Sequence, residues 1–339
     1  MARYPSGLHG RRRGRPIKRT YIISALLVIA VVVAFIYRSG PSGKNEDGTV
    51  EPLIDANVVG ETNPLVVVPP EPNLLEITPS PTEDANPEAT ALIAEAMALM
   101  NAKPAGIIEA RNILNDMLSM PMTGQQQAFV KRKLSELADK WLFSKTVYPQ
   151  DSLCSSYRVK RDEILSTICK QFKVPWEILS KINEVRPEVL GAGKTIKIID
   201  GPFHARVYLS TFTMDLYLQN NTFVRSYPVG LGEPGKETPT GLWRVKRNGK
   251  LIKPPWPDSV TRKLIHYGEP GYALGSRWIG LEGIKGAAKN RTGFGIHGTE
   301  EPETIGTEGS RGCIRLHNGD VIFVYDLLVP VHSLVEVVE

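Results

Sequence analysis

The chain has 339 residues, 42% of them hydrophobic, which is enough for buried cores in about two to three folded units. Its net charge of +5 comes from one end: Met1 to Thr20 holds seven basic residues and no acidic one, and the remainder sets 34 basic residues against 36 acidic ones. With that near balance, nothing in the charge argues for nucleic acid as a partner.

Residues 1–20, charged at Arg3, Arg11, Arg12, Arg13, Arg15, Lys18 and Arg19, read as a basic cytoplasmic tail. Tyr21 to Tyr37 is an unbroken run of 17 uncharged residues bracketed by tyrosines, at the short end of what crosses a bilayer. A cleaved signal peptide has a shorter apolar region and a small-residue cleavage site, and no clear site precedes Arg38. A single uncleaved transmembrane helix is therefore expected over 21–37. The basic cluster lies before it, so the N-terminus should stay inside and everything after Arg38 should be exported. Residues 38–90 carry prolines such as Pro52, Pro64, Pro69, Pro70 and Pro72, and from Ser39 to Thr90 they set ten acidic residues against one lysine. Such a stretch cannot bury enough apolar surface to fold alone and reads as a disordered tether.

From 91 to 150 the apolar residues recur at helical spacing, first at Ala110, Ile113, Leu114, Met117 and Leu118, then at Val130, Leu134, Leu137, Ala138, Trp141 and Leu142. Pro104 is placed to open one helix. Thr123 with Gln126 is placed to form a capping box for the next. The hairpin of Ala94 to Leu118 faintly resembles a tetratricopeptide unit, but one unit cannot bury its own face. A helical spacer packed against a neighbour is the expectation.

Residues 155–200 follow with Tyr157-Arg158-Val159, then Ile164, Leu165, Ile168, Phe172, Val174, Ile178, Leu179 and Asn183, and finally Thr195-Ile196-Lys197-Ile198. A strand, two short helices and a returning strand fit this pattern. It resembles a LysM module, the β-α-α-β unit that grips the N-acetylglucosamine-containing backbone of peptidoglycan or chitin. Asp162 stands where that family usually has glycine. A small linker domain without sugar affinity is the plainer alternative.

Residues 203–339 turn β-rich. His204 to Ser210, Thr213 to Leu218 and Thr222 to Val229 read as strands, with a hairpin turn at Asn220-Asn221. Thr238-Pro239-Thr240-Gly241 suits a type I turn. Leu251 to Gly293 shows few periods and reads as a long insertion over the site. Asp320 to Leu328 reads as a short helix and Val331 to Val338 as a closing strand.

The chemistry concentrates in His297-Gly298-Thr299 and, sixteen residues after His297, in Cys313 within Ser310-Arg311-Gly312-Cys313-Ile314-Arg315. A thiol attacks carbonyls as its thiolate, so a working cysteine needs a base such as His297. It also needs backbone N–H donors for the oxyanion, which Gly312 and Cys313 could supply. A glycine before the nucleophile allows a tight turn, and Ile314 with Leu316 alternates like a half-buried strand. Of three cysteines, Cys154 and Cys169 could bridge or lie buried as thiols, and either way Cys313 is the odd one. Zinc is a rival use, since Cys313 and His317 have Cys-x-x-x-His spacing and His297 could add a third ligand. His204, His266 and His332 have no partner at ligand spacing.

This pattern resembles the L,D-transpeptidase catalytic family (the YkuD domain), whose motif is His-Gly, a spacer in the mid-teens, Ser or Thr, a residue that is often His, then Gly-Cys-hydrophobic-Arg or Asn. The Thr-Pro-x-Gly turn at 238–241 matches as well, and Arg311 departs from the usual second histidine. The resemblance implies a peptidoglycan enzyme in which Cys313 forms a thioester with the third residue of a peptide stem and releases D-alanine. His297 would lower the effective pKa of the thiol, and the Gly298 carbonyl would orient its ring. Ser310 and Gly312 would shape the oxyanion site, and Arg315, Arg311 and Thr299 would contact substrate. A second stem's amine would then take the acyl group to give a 3-3 cross-link. Water as acceptor would make a carboxypeptidase, and an inactive catalytic fold would leave a wall-binding structural protein. No cofactor or metal is expected, and the partners implied are peptide stems, glycan and a membrane. The expected fold class is multidomain α+β: a transmembrane helix, a linker, a helical segment, a LysM-like module and a mainly-β catalytic domain at the outer side of a bacterial cytoplasmic membrane.

Overall fold

A computed structural model describes residues 85–103, 106–258 and 261–339. The expected basic tail, the transmembrane span at 21–37, nearly all of the linker and Pro104 lie outside the described residues. Among those described, no helix is long and apolar enough to cross a membrane.

Three helices open the described chain: α1 (Pro87–Asn101), α2 (Ile107–Met117) and α3 (Gly124–Trp141). Helix α1 starts inside the stretch assigned to the linker because Asn86 caps it, its side chain accepting the Glu88 and Ala89 N–H groups ahead of a proline at the first helical position. The capping box of Thr123 and Gln126 forms at α3. Gln126 also exchanges hydrogen bonds with the Asn86 backbone, at 3.2 and 3.0 Å, so one side chain ties two helix starts together. The apolar faces bury Leu114, Met117, Leu134, Leu137 and Trp141. Arg111 lies over the Trp141 ring and pairs with buried Asp151 at 2.8 Å.

Next come β1 (Cys154–Arg158), α4 (Leu165–Phe172), α5 (Trp176–Asn183) and β2 (Thr195–Ile199), with β1 and β2 antiparallel, the β-α-α-β order expected. Asp162 takes a φ of +64°, a region that favours glycine, which accounts for the glycine usual at that position. Cys154 and Cys169 are both buried free thiols, and burial pushes the Cys169 thiol up to about 12. Lys197 is 2% exposed, yet its ammonium donates to the Trp141, Ser144 and Thr146 carbonyls just past α3. A buried cation held by the end of a helix binds this module to the helical one.

Residues 203–339 contain β3 (His204–Tyr208), β4 (Thr213–Leu218), β5 (Thr222–Pro228), β6 (Leu231–Gly232), β7 (Gly241–Ile252), β8 (Trp256–Pro257), β9 (Leu264–Ile265), β10 (Arg277–Lys285), β11 (Phe294–His297), β12 (Glu308–Ser310), β13 (Ile314–Arg315), α6 (Asn318–Tyr325) and β14 (Leu334–Val338). Eight strands form one mixed sheet in the order β13-β11-β10-β7-β14-β3-β4-β5. Asn220 and Asn221 both take positive φ, as a hairpin turn between β4 and β5 requires. Trp243, Phe203, Phe223, Met214 and Leu216 fill the core. The stretch from Leu251 to Gly293 is not all insertion: β10 is a central strand, burying Ile279 and Leu281, and only the β8–β9 hairpin with its flanks stands over the site. Helix α3 lies against β5, where Lys131 reaches fully buried Asp215 at 2.7 Å. Lys181 of α5 pairs with Asp326 after α6.

Candidate active site

Strands β11 and β13 are parallel neighbours, with Ile296 opposite Ile314 and His297 opposite Arg315. Residues opposite each other on neighbouring strands share a face, so His297 and Arg315 lie on one face, and Cys313 is the residue just before β13. All three line one cleft of about 930 Å³, walled by Trp256 and Tyr272 on the hairpin side and by Glu301 and Arg311 on the other. His317 is not part of that lining.

His297 is 4% exposed, with its ring stacked on Trp278 at 5.7 Å between centroids. Its Nδ1 stands 2.5 Å from the Gly298 carbonyl oxygen. A carbonyl only accepts, so Nδ1 carries the proton and Nε2 keeps a lone pair, which is the tautomer a general base needs. Burial pushes the imidazole pKa down to about 4; the Gly298 carbonyl opposes the shift and the Arg315 charge adds to it. Cys313 is half-buried, and desolvation raises its thiol against the pull of a Gly295 backbone hydrogen bond and of Arg315. Burial thus pushes both the thiol and the imidazole towards their neutral forms.

Ser310 is 2% exposed and its hydroxyl donates to the Cys313 carbonyl at 2.6 Å. The same oxygen accepts the Gly312 N–H at 3.1 Å, so that donor, expected at the oxyanion, is already engaged. Gly312 has φ +99°, and a Cβ there would lie 2.7 Å from the Phe294 ring. Only glycine fits this turn before Cys313. Thr299 also lies at the cleft, but its hydroxyl accepts the Glu301 N–H at 2.9 Å and holds the turn after His297. Arg315 donates to Glu301 and to the Thr304 hydroxyl, both at 3.2 Å. Its Nε is buried and has no partner among the described residues. Arg311 is exposed on the rim, its charge acting on Glu233.

Three residues at or behind the site escaped the sequence. Trp278 lay in the stretch read as insertion, although Ile279 and Leu281 alternate with it as a strand would. Glu301 sits in an acidic loop with no period. Asn318 joins Ser276 to Thr299 through its carboxamide, and no local signal marks it.

The family profile of the L,D-transpeptidase catalytic domain, YkuD, matches residues 202–337, and that of the LysM domain matches residues 157–198. A Bacillus subtilis (strain 168) protein bearing the L,D-transpeptidase name, YkuD, is 30% identical over 174 residues, 49% of this chain and 89% of that protein. Its namesake in Bacillus licheniformis is 30% identical over 174 residues, covering 49% and 88%. Among solved structures, an L,D-transpeptidase of Mycobacterium tuberculosis H37Rv aligns at 16% identity with a TM-score of 0.33, over 44% of this chain and 64% of that one, just under two thirds of its length.

Proposed function

The chain belongs to the L,D-transpeptidase family, and from that premise we propose that it cross-links peptidoglycan stems through a thioester on Cys313. The observation that carries the reading is the meeting of thiol and imidazole in one cleft, His297 at the end of β11 and Cys313 just before its parallel neighbour β13, with Nδ1 held by Gly298. As the Cys313 sulfur attacks the carbonyl joining the third stem residue to the terminal D-alanine, its proton passes to His297. The C–N bond then breaks, the imidazolium returns the proton to the leaving amine, and D-alanine departs. A side-chain amine of a second stem attacks the thioester, loses its proton to His297 and forms the 3-3 amide, while the thiol is restored. With the Gly312 N–H engaged by Ser310, the reading assigns the developing oxyanion to the Cys313 N–H.

Arg315 and Arg311 are assigned to the stem carboxylates, since a guanidinium pairs with a carboxylate through two parallel hydrogen bonds. The LysM domain is assigned to the glycan. The uncharged run at 21–37 and the basic residues before it support a single-pass anchor with the enzyme on the wall side. A reporter fused at Glu339 that works in the cytoplasm would rule that topology out.

Product analysis on isolated peptidoglycan tests the reaction. Free D-alanine matched by 3-3 dimers supports the proposal, D-alanine without dimers means a carboxypeptidase, and neither product leaves a wall-binding protein.

A further inference from the structure

Asn318 opens α6 five residues after Cys313, outside the lining of the cleft. Its Oδ1 accepts the Ser276 N–H at 2.9 Å, its Nδ2 donates to the Thr299 carbonyl at 2.8 Å, and its own backbone carbonyl accepts the Ser276 hydroxyl at 3.3 Å. The carboxamide is thus gripped by two chain segments, and both are pressed against it. A Cβ at Gly275 would lie 2.2 Å from Oδ1, and one at Gly298 would lie 2.1 Å from it. The glycine after the histidine is therefore demanded by the amide behind it.

Each segment carries one of the restraints on His297. The first, Gly275-Ser276, leads directly into β10 and sets Trp278, whose ring stacks on the imidazole. The second, Gly298-Thr299, presents the carbonyl that holds Nδ1. We propose that Asn318 is the positioning residue for the base: one carboxamide sets both the face on which the His297 ring lies and the carbonyl that fixes its tautomer. The inference rests on His297 being the base of the proposed reaction. Only asparagine meets the geometry, because the site needs an acceptor for Ser276 and a donor for Thr299 on one short side chain. Aspartate accepts but cannot donate when ionised, and alanine does neither.

The test uses the full chain as wild type, Asn318→Asp and Asn318→Ala, with a stem tetrapeptide as substrate. Single-turnover acylation and the half-saturating substrate concentration are measured beside the ring-nitrogen NMR spectrum of His297 and the thermal midpoint. Wild type should show one tautomer, protonated at Nδ1. Both variants should show a mixture and should acylate about a hundredfold more slowly, the scale of a misplaced catalytic group, with half-saturation unchanged. A purely structural role would lower the folded fraction and leave the tautomer of the folded protein single. Either that result or acylation within about threefold of wild type overturns the proposal. A wild type lacking the single tautomer overturns it as well, even if no variant folds. If wild type is not acylated at all, the proposed reaction fails while the tautomer spectra still judge the role of Asn318.

Discussion

Lowering the pH should show whether His297 is held neutral by burial. Its pKa falls from an ordinary 6.5 to about 4. At about 1.4 kcal/mol for each tenfold change in protonation, the folded protein disfavours the imidazolium by about 3 kcal/mol. Above pH 6.5 both folded and unfolded chains hold a neutral ring, and the stability is fully present. Between 6.5 and about 4 the unfolded chain takes up a proton that the folded chain refuses, so stability is lost as the pH falls; below about 4 no more is lost. His297→Gln, with no group to titrate, should lack this component. Denaturant unfolding from pH 7.5 to 4 should therefore give a wild-type minus variant difference that declines by about 3 kcal/mol over this window. Other titrating groups, His204 among them, cancel in the subtraction. The acid limb of kcat/KM, which reports the free enzyme, should likewise fall near 4. An NMR titration of His297 centred near 6.5, or the same pH slope in the variant, would refute the reasoning.

Lys131→Met should destabilise the protein by roughly 3 kcal/mol, because it strands the buried Asp215 carboxylate with only the Tyr217 hydroxyl at 3.1 Å. Adding Asp215→Asn should recover most of that, and a loss under about 0.5 kcal/mol would mean that the helices do not dock on the sheet. Arg315→Lys should raise the half-saturating stem concentration by about tenfold, the cost of exchanging a two-pronged charged contact for one point charge; unchanged kinetics would leave Arg315 as the partner of Glu301 alone. Pull-down of Cys313→Ala by insoluble peptidoglycan should be competed by N-acetylglucosamine oligomers, and binding indifferent to them would take the glycan role from the LysM domain.

The local devices were legible in the sequence. The Thr123–Gln126 box, the Asn220-Asn221 turn and the Gly312 turn before Cys313 each depend on a few adjacent residues, so their chemistry declares them. Strand β10 was hard to read, because Gly280 and Gly283 thin out the alternation that Ile279 and Leu281 keep, and its longer partner β7 lies across the β8–β9 hairpin in the chain. Lys197 read as one polar residue of a strand, and only the fold shows it capping the end of α3. The protonation of Cys313 and His297 was not legible for a related reason. Spacing can bring a histidine to a cysteine, but the direction of their pKa shifts depends on how much water the cleft excludes, which belongs to tertiary packing.

The bond that Cys313 would form with the acyl group is open to direct measurement. Wild-type protein mixed with a tetrapeptide stem and quenched in acid should gain, by intact mass, one tetrapeptide less D-alanine, and digestion should place that mass on the peptide containing Cys313. Folded Cys313→Ala should gain nothing. An adduct of the same mass on Cys313→Ala, or one located at Cys154 or Cys169, would contradict the assignment of the nucleophile.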